Sequence, residues 1–257
     1  MTGYTPYKGS FEQAKSMSKY ASTILLISTG ILITAFALKT FNSSLTNFSD
    51  VLTNINCFFI ISYAVLSFLS ETFFYQASIQ RREDFIDNSF NTSIAESRSV
   101  DYYTNGNIAT GIYKMAVNGF ENSLFTYNIG KRMTLKIWLK NLIFALLILV
   151  SAIFGFNNAF TLLIQLTLPI LLLQQSIKHT LFVYRINRVF ENYRRLFNDL
   201  KSHEDSKHKR PEIILNVLDY ETTLTYGAIL LDSKLYEKLN LELSAIWLEL
   251  KREYNIE

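Results

Sequence analysis

The stretch NLIFALLILVSAIFGFNNAFTLLIQLTLPILLLQQSI, residues 141–177, contains no Asp, Glu, Lys or Arg. It is too long for one membrane-spanning helix and is interrupted by GFNN at 155–158. We therefore predict two spans, 135–154 and 160–177, each close to the roughly 20 residues that cross a hydrocarbon core as helix. Helix is the expected conformation, because backbone polar groups in lipid must find their hydrogen-bond partners within the segment.

Two earlier runs share this lack of charge. The first covers 20–38, with STILLISTGILITAFAL at its centre, and the second is VLTNINCFFIISYAVLSFLS at 51–70. Only 18% of the residues are charged, against roughly 25% in a typical soluble domain. We predict an all-α membrane protein with four transmembrane helices arranged as two hairpins. The alternative is a soluble all-α protein in which these runs are buried core helices.

The positions of the basic residues predict the topology. All but Lys39 of the 25 Lys and Arg residues lie in 1–19, in 71–140 or from 178 onward. The positive-inside rule then places both termini in the cytosol. The predicted parts are a cytosolic N-terminal arm, a first hairpin, a cytosolic middle segment, a second hairpin and a cytosolic helical C-terminal region, at 1–19, 20–79, 80–133, 134–184 and 185–257.

The cytosolic parts show helical patterns. RREDFID, from Arg81, continues the second span, and an amphipathic helix is predicted at 111–127. Its polar face holds Lys114, Asn118, Glu121 and Asn122, which are either a solvated face or a binding or assembly surface. In the tail, a Leu stripe that includes Leu235 and Leu239 either folds back onto this domain or packs between subunits.

No motif for catalysis, metal binding or a cofactor is present, so we predict a protein that is not an enzyme and requires no cofactor. Positions 106–111 have the spacing of a phosphate-binding loop, but Ile112 stands where that loop needs Lys. His203 and His208 lie on a charged connector, which a solvated run of charges explains better than a metal site. Cys57 lies inside the second span, where a packing role is expected.

Polar side chains inside the spans are costly against lipid and should point inward. There they either hydrogen-bond neighbouring helices or line a pore. Four helices enclose almost no pore, so conduction would need a homo-oligomer, for which we expect a tetramer. The pore-lining candidates are Asn56, Tyr63, Ser67, Ser70, Glu71, Gln165, Gln175 and Lys178.

The order of spans, the long polar segment between the hairpins and the tail resemble one family. It is the bacterial four-transmembrane (SMODS/SLOG-associating) pore-forming effectors of antiphage defence. The segments that carry the resemblance are RREDFIDNSF at 81–90, DYYTNGNIATGIYKMAVNGFENSLFT at 101–126 and LDYETTLTYGAILLDSKLYEKLNLELSAIWLELK at 218–251. The membrane channel of Hailong-type systems is similar in being paired with a nucleotidyltransferase-like protein.

The resemblance implies a pore-forming toxin that is silent until infection and is controlled by a nucleotide product of a partner enzyme. In Hailong-type systems that product is a short single-stranded DNA oligomer, which holds the channel closed. The family offers no catalytic residues to carry over. Expected partners are therefore membrane lipid, further copies of the chain, and a nucleotide or single-stranded oligonucleotide, with no duplex DNA.

Such a ligand needs cations and, for its bases, stacking surfaces. Basic residues beside a membrane are also expected as topology determinants and as contacts to anionic lipid. The stacking candidates are Tyr102, Tyr103, Tyr113 and Tyr193. The ligand-binding candidates are Arg81, Arg82, Lys131, Arg132, Arg185, Arg188, Arg194 and Arg195.

Two other functions compete with the channel. A non-conducting membrane scaffold or receptor that anchors a cytosolic partner would use the tail stripe and the basic helix equally well. A small transporter is less favoured, because it would be expected to carry a charge within its spans or an internal repeat, and neither is seen.

Overall fold

The computed structural model describes residues 5–41, 45–100, 102–153, 159–202 and 207–256. The described residues form six helices and no strand, which confirms the all-helical prediction. The helices are α1 (Lys8–Phe41), α2 (Thr46–Phe90), α3 (Ile112–Ile153), α4 (Ala159–Ser202), α5 (Arg210–Gly227) and α6 (Ser233–Glu253).

Helices α1 to α4 are longer than the predicted spans. Helix α2 continues through Arg81 to Phe90, as predicted. In α3 the predicted amphipathic helix and the predicted third span form one uninterrupted helix. Gly130 is the weakest helix former between the two parts, and a single interior Gly costs only about 1 kcal/mol.

Among the described residues, two helices are long and apolar enough to cross a membrane, over Lys8–Lys39 and Thr46–Phe90. By length and composition this is compatible with membrane association. Spans in α3 and α4 remain predictions, and so does the orientation of the termini. The predicted break at 155–158 lies outside the described residues, between the end of α3 and the start of α4.

The chain divides into two compact units. Unit 1 contains residues 1–11, 74–133 and 179–257, and unit 2 contains residues 12–73 and 134–178. Each of α1 to α4 therefore supplies residues to both units. The division runs close to the predicted borders between hairpins and cytosolic parts, while the assignment of either unit to membrane or cytosol stays a prediction.

The core of unit 1 is aromatic and is centred on Phe120 of α3. The Phe120 ring stacks on Phe197 of α4, with 5.2 Å between centroids, and meets Trp247 of α6 edge-on at 5.4 Å. All three side chains are buried. Such ring pairs contribute roughly 0.5–1.5 kcal/mol beyond their buried area. The core thereby joins α3, α4 and α6.

The C-terminal stripe folds back within unit 1. Leu239, Leu243, Trp247 and Leu250 of α6 are buried there, which decides between the two predicted arrangements of the stripe. Helix α6 begins at a cap, since the Asp232 carboxylate accepts a hydrogen bond from the backbone N–H of Lys234 at 3.0 Å.

The polar face predicted for the start of α3 is largely buried. Lys114, Asn118 and Glu121 are each no more than 9% exposed, so a solvated face is wrong for these three residues. Asn122 is half-buried. The spacing of apolar residues in α3 identifies its apolar face. It does not show that polar residues from other segments cover the opposite face.

Candidate functional site

Unit 2 has an inverted distribution of polarity. Its buried side chains include seven polar ones: Ser28, Thr29, Ser49, Asn56, Ser70, Asn141 and Ser176. Its exposed surface is rich in large apolar side chains, and Phe58 and Phe68 of α2 and Leu135 of α3 are each 69% exposed. In water such a surface would be costly, whereas against hydrocarbon it is the favourable arrangement.

Asn141 is the centre of the polar interior of unit 2. Its side-chain amide donates to the carbonyl of Leu172 at 3.1 Å and to the hydroxyl of Ser176 at 3.0 Å. It also donates to the side-chain oxygen of Gln175 at 3.2 Å. These bonds join α3 to α4, as polar side chains do between helices in a bilayer. Asn141 lies within the predicted third span, 135–154, where polar side chains are expected to point inward, but the sequence does not identify its partners in α4.

The pore-lining candidates in α2 have different surroundings. Asn56 is 1% exposed, and its amide oxygen has no hydrogen-bond partner among the described residues. Ser70 is buried and donates to the carbonyl of Ala14 at 2.9 Å. Tyr63 packs against buried leucines, Ser67 is half-buried and Glu71 is exposed.

The candidates in α4 lie nearer the surface of unit 2. Gln175 and Lys178 are exposed. Gln165 lies within α4, and its side chain falls outside the described residues. Whether any candidate lines a pore stays a prediction. Among the candidates whose side chains are described, Glu71, Gln175 and Lys178 are the exposed ones.

Among the ligand-binding candidates, Arg81 has a partner within its own chain. Its guanidinium donates to the carboxylate of Glu221 in α5 at 2.5 Å, and both side chains are largely buried. The same guanidinium lies 6.0 Å from the centre of the Tyr220 ring. This ion pair accounts for Arg81 without a ligand.

The other basic candidates are more accessible. Arg185 lies over the Tyr226 ring at 4.8 Å and Lys131 over the Tyr127 ring at 5.5 Å. Arg194 is half-buried beside Glu191 and the hydroxyl of Tyr254. The remaining four are exposed or half-buried: Arg82, Arg132, Arg188 and Arg195.

The stacking candidates differ in access. Tyr193 is fully buried beside Phe120, so it is not available to a ligand and that candidate is wrong. Tyr102 is 38% exposed and meets the half-buried Tyr103 edge-on at 4.9 Å. Tyr113 is half-buried and meets Phe197.

A polar pocket in unit 1 was not expected from the sequence. It has a volume of about 200 Å³ and lies between the end of α2, the following loop and the start of α3. Its lining contains two carboxylates and two cations. The lining residues are Asp84, Asp87, Asn88, Asn91, Arg98, Ser99, Thr110 and Lys114.

Asp87 fixes the loop on one side of this pocket. Its carboxylate accepts hydrogen bonds from the Thr92 hydroxyl at 2.6 Å and from the backbone N–H groups of Ile94 and Ala95 at 2.8 Å. Asn91, just beyond the end of α2, has the left-handed φ of 57° that Asn tolerates in a helix C-cap. The loop that follows α2 therefore turns back and binds the Asp87 carboxylate.

Asp84 is only partly satisfied. One of its oxygens accepts the backbone N–H of Ser99 at 2.7 Å, but the other has no hydrogen-bond partner among the described residues. The Ser99 hydroxyl is buried and unpartnered in the same sense. Lys114 is 7% exposed, and no ion pair joins it to another described residue. The pocket thus contains a buried acceptor and a buried hydroxyl that remain available, and the Lys114 side chain lines it without an ion-pair partner among the described residues.

A second polar cluster lies behind the pocket on α3. Glu121 accepts hydrogen bonds from the Thr104 hydroxyl at 2.9 Å and from the Asn105 amide at 2.7 Å. Burial raises the pKa of Glu121, while these two bonds and the charge of Lys251 lower it, and the net effect is a raised pKa. Asn118 extends the cluster by donating to the Asn88 oxygen at 2.9 Å.

The described residues hold no group of three or more His, Cys, Asp or Glu side chains that would suit a metal ion. The sequence does contain a pattern that could have indicated the polar pocket. Asp84, Asp87, Asn88 and Asn91 recur at the i, i+3, i+4, i+7 spacing that places residues on one helical face.

Comparisons with protein-family models, curated proteins and solved structures find no match to the chain.

Proposed function

We propose that this chain is a subunit of a homo-oligomeric channel in the bacterial inner membrane and acts as an effector of antiphage defence. A nucleotide or short oligonucleotide, made by a partner nucleotidyltransferase, controls its opening. Opening depolarises the membrane and stops growth of the infected cell. The observation that supports this most is the inverted polarity of unit 2, with seven buried polar side chains beneath an apolar surface.

The use of the polar side chains supports an oligomer. Ser70 and Asn141 make hydrogen bonds to neighbouring helices of the same chain, so they hold the unit together. A conducting path would then run between copies, along the accessible polar positions Glu71, Gln175 and Lys178. Rings of charged side chains set ion selectivity in pores of this kind.

Control by a nucleotide rests on the basic face of α4. Arg185, Arg188 and Arg195 are exposed, and the first lies over the Tyr226 ring. Cations beside an aromatic face are what a phosphate backbone with stackable bases requires. Since α4 supplies residues to both units, a change at this face can pass along one continuous helix.

The experiment is a measurement of membrane potential in cells that carry the chain with and without the proposed partner nucleotidyltransferase, before and during infection. A potential-sensitive dye should report depolarisation in one of these states and not in the others. A membrane that stays polarised in every state, infection included, would contradict the channel.

A charge-reversal variant and its matched control test whether this chain forms the conducting path. Glu71→Lys should change the cation-to-anion selectivity of single channels in planar bilayers, because it inverts a ring of charge. Glu237→Lys is the matched control, since Glu237 is exposed on α6 of unit 1 and should leave selectivity unchanged. If both variants have the same selectivity, Glu71 does not line the pore.

A non-conducting scaffold is the second candidate. The observation that favours it is the hydrogen bonding of Asn141 and Ser70 within the chain, which explains the polar interior of unit 2 by packing alone. A scaffold gives no conductance in planar bilayers at any nucleotide concentration, and this result separates the two functions.

A further inference from the structure

The polar pocket of unit 1 contains groups that the rest of the chain leaves without partners. Asp84 is 1% exposed, and one of its carboxylate oxygens has no hydrogen-bond partner among the described residues. Lys114 is 7% exposed and has no ion-pair partner among them. Both line the same pocket of about 200 Å³. A buried carboxylate oxygen without a hydrogen-bond partner is costly, so this arrangement needs an explanation beyond folding.

We propose that this pocket binds a small zwitterionic molecule of amino-acid size. Its ammonium group donates to the open oxygen of Asp84, and its acidic group accepts from the ammonium of Lys114. The proposal concerns a site that the channel hypothesis does not use, and it does not depend on conduction.

The carboxylate end of the pocket is prepared for a donor. Ser99 holds one oxygen of Asp84 through its backbone N–H at 2.7 Å, which fixes the direction of the other oxygen. The buried Ser99 hydroxyl adds a second acceptor or donor within the lining. Asp87 cannot compete for the same group, because both its oxygens already accept hydrogen bonds from the loop.

The part of the lining formed by Lys114 favours an anion. Lys114 lies in the first turn of α3, which begins at Ile112, and the dipole of a helix favours negative charge near its N-terminus. The Asn88 side chain accepts from Asn118 through its oxygen at 2.9 Å, so its NH₂ group remains as a further donor in the lining. The two ends together match a molecule with an amine and an acid.

The size of the pocket restricts the ligand. Pockets for drug-sized molecules measure roughly 300–1,000 Å³, so about 200 Å³ encloses an amino acid but not an oligonucleotide. The formal charges of the lining also balance, since Asp84 and Asp87 oppose Arg98 and Lys114. A zwitterion preserves this balance, whereas a free anion or a free cation does not.

The experiment is thermal unfolding of the full chain in detergent micelles with millimolar probes. Glycine, L-alanine and L-aspartate test the zwitterion, acetate and methylamine test each half alone, and guanosine monophosphate tests a nucleotide. At least one amino acid should raise the melting temperature by about 2 °C or more, and neither half-probe should do so. Stabilisation only by the nucleotide or by a half-probe, or by none of the probes, would overturn the proposal.

Variants of the pocket residues test whether the amino acid that raises the melting temperature binds in the pocket. Asp84→Asn and Lys114→Met should each abolish the shift caused by the amino acid, whereas the exposed controls Glu237→Gln and Lys238→Met should retain it. If Asp84→Asn does not fold, Lys114→Met and the milder Ser99→Ala carry the test. A shift of unchanged size in these pocket variants would place the amino acid elsewhere and contradict the proposal.

Discussion

Arg81 and Glu221 form an ion pair at 2.5 Å inside unit 1, joining α2 to α5. Arg81 has the sequence features of a ligand-binding cation, since it follows an apolar run beside a second Arg. Its partner lies 140 positions later, a distance over which sequence patterns do not predict contact. A cation therefore cannot be assigned to a ligand until its own acidic neighbours are known.

Breaking this pair should be costly. Arg81→Met leaves Glu221 without its cation in a largely buried site, and such a loss destabilises by about 3 kcal/mol. The double variant Arg81→Met with Glu221→Leu should be less destabilised than the sum of the two single variants, because no unpaired charge remains. Urea unfolding of the four proteins measures this coupling, and strictly additive losses would contradict the ion pair.

Glu121 should make the stability of unit 1 depend on pH. Its pKa is raised in the folded protein, so the folded state holds the proton more tightly than the unfolded chain. The free energy of unfolding should therefore decrease as pH rises from the ordinary pKa of Glu to the raised one. Glu121→Gln should flatten this slope in unfolding curves measured across that range, whereas Glu237→Gln should not. An unchanged slope in Glu121→Gln would contradict the assignment.

At the scale of elements, helix α3 shows where close packing fixes a residue type. A Cβ atom placed on Gly119 would lie 2.3 Å from the hydroxyl oxygen of Tyr193 and 2.8 Å from its ring carbon Cζ. Tyr193 is fully buried against Phe120 and has no room to retreat. Only a residue without a side chain allows α3 and α4 to approach this closely.

Gly119→Ala should destabilise the protein by about 1–3 kcal/mol, the usual cost of overpacking, although alanine is the better helix former. Gly9→Ala is the matched control, because Gly9 is also helical and a Cβ atom there meets nothing within 4 Å. The control should be neutral or slightly stabilising. Thermal unfolding by circular dichroism measures both, and equal melting temperatures would contradict the close approach at Gly119.

The elements also show which parts of the fold the sequence can predict. Helix α2 follows from an uncharged run and its continuation at Arg81, both of which are local features. The burial of Asn118 and Glu121 is not local, because their partners Asn88, Thr104 and Asn105 come from other segments. Periodicity assigned them to a polar face, and the tertiary structure turned that face inward.

At the scale of the whole molecule, the division into two units follows from the distribution of charge. Segments without charge form most of unit 2, and the segments that carry nearly all Lys and Arg residues form most of unit 1. The candidate site was harder to predict. The pocket depends on Asp84 of α2 and Lys114 of α3 lining the same cavity, and neither residue belongs to a recognised catalytic or metal-binding motif.

The central claim is that the exposed apolar surface of unit 2 faces lipid. Single cysteines in a Cys57→Ser background test it with a maleimide that cannot cross membranes. The variants are Phe58→Cys on the exposed apolar face of α2, Leu45→Cys in the predicted external loop and Lys207→Cys in the predicted cytosolic tail.

If this surface faces lipid, Leu45→Cys should react in spheroplasts and Lys207→Cys should react only in inverted vesicles. Phe58→Cys should react in neither until the membrane is dissolved and the chain unfolded, although its native side chain is 69% exposed on the protein surface. Labelling of Phe58→Cys in intact membranes as fast as that of Lys207→Cys would show that this face meets water and would contradict the account.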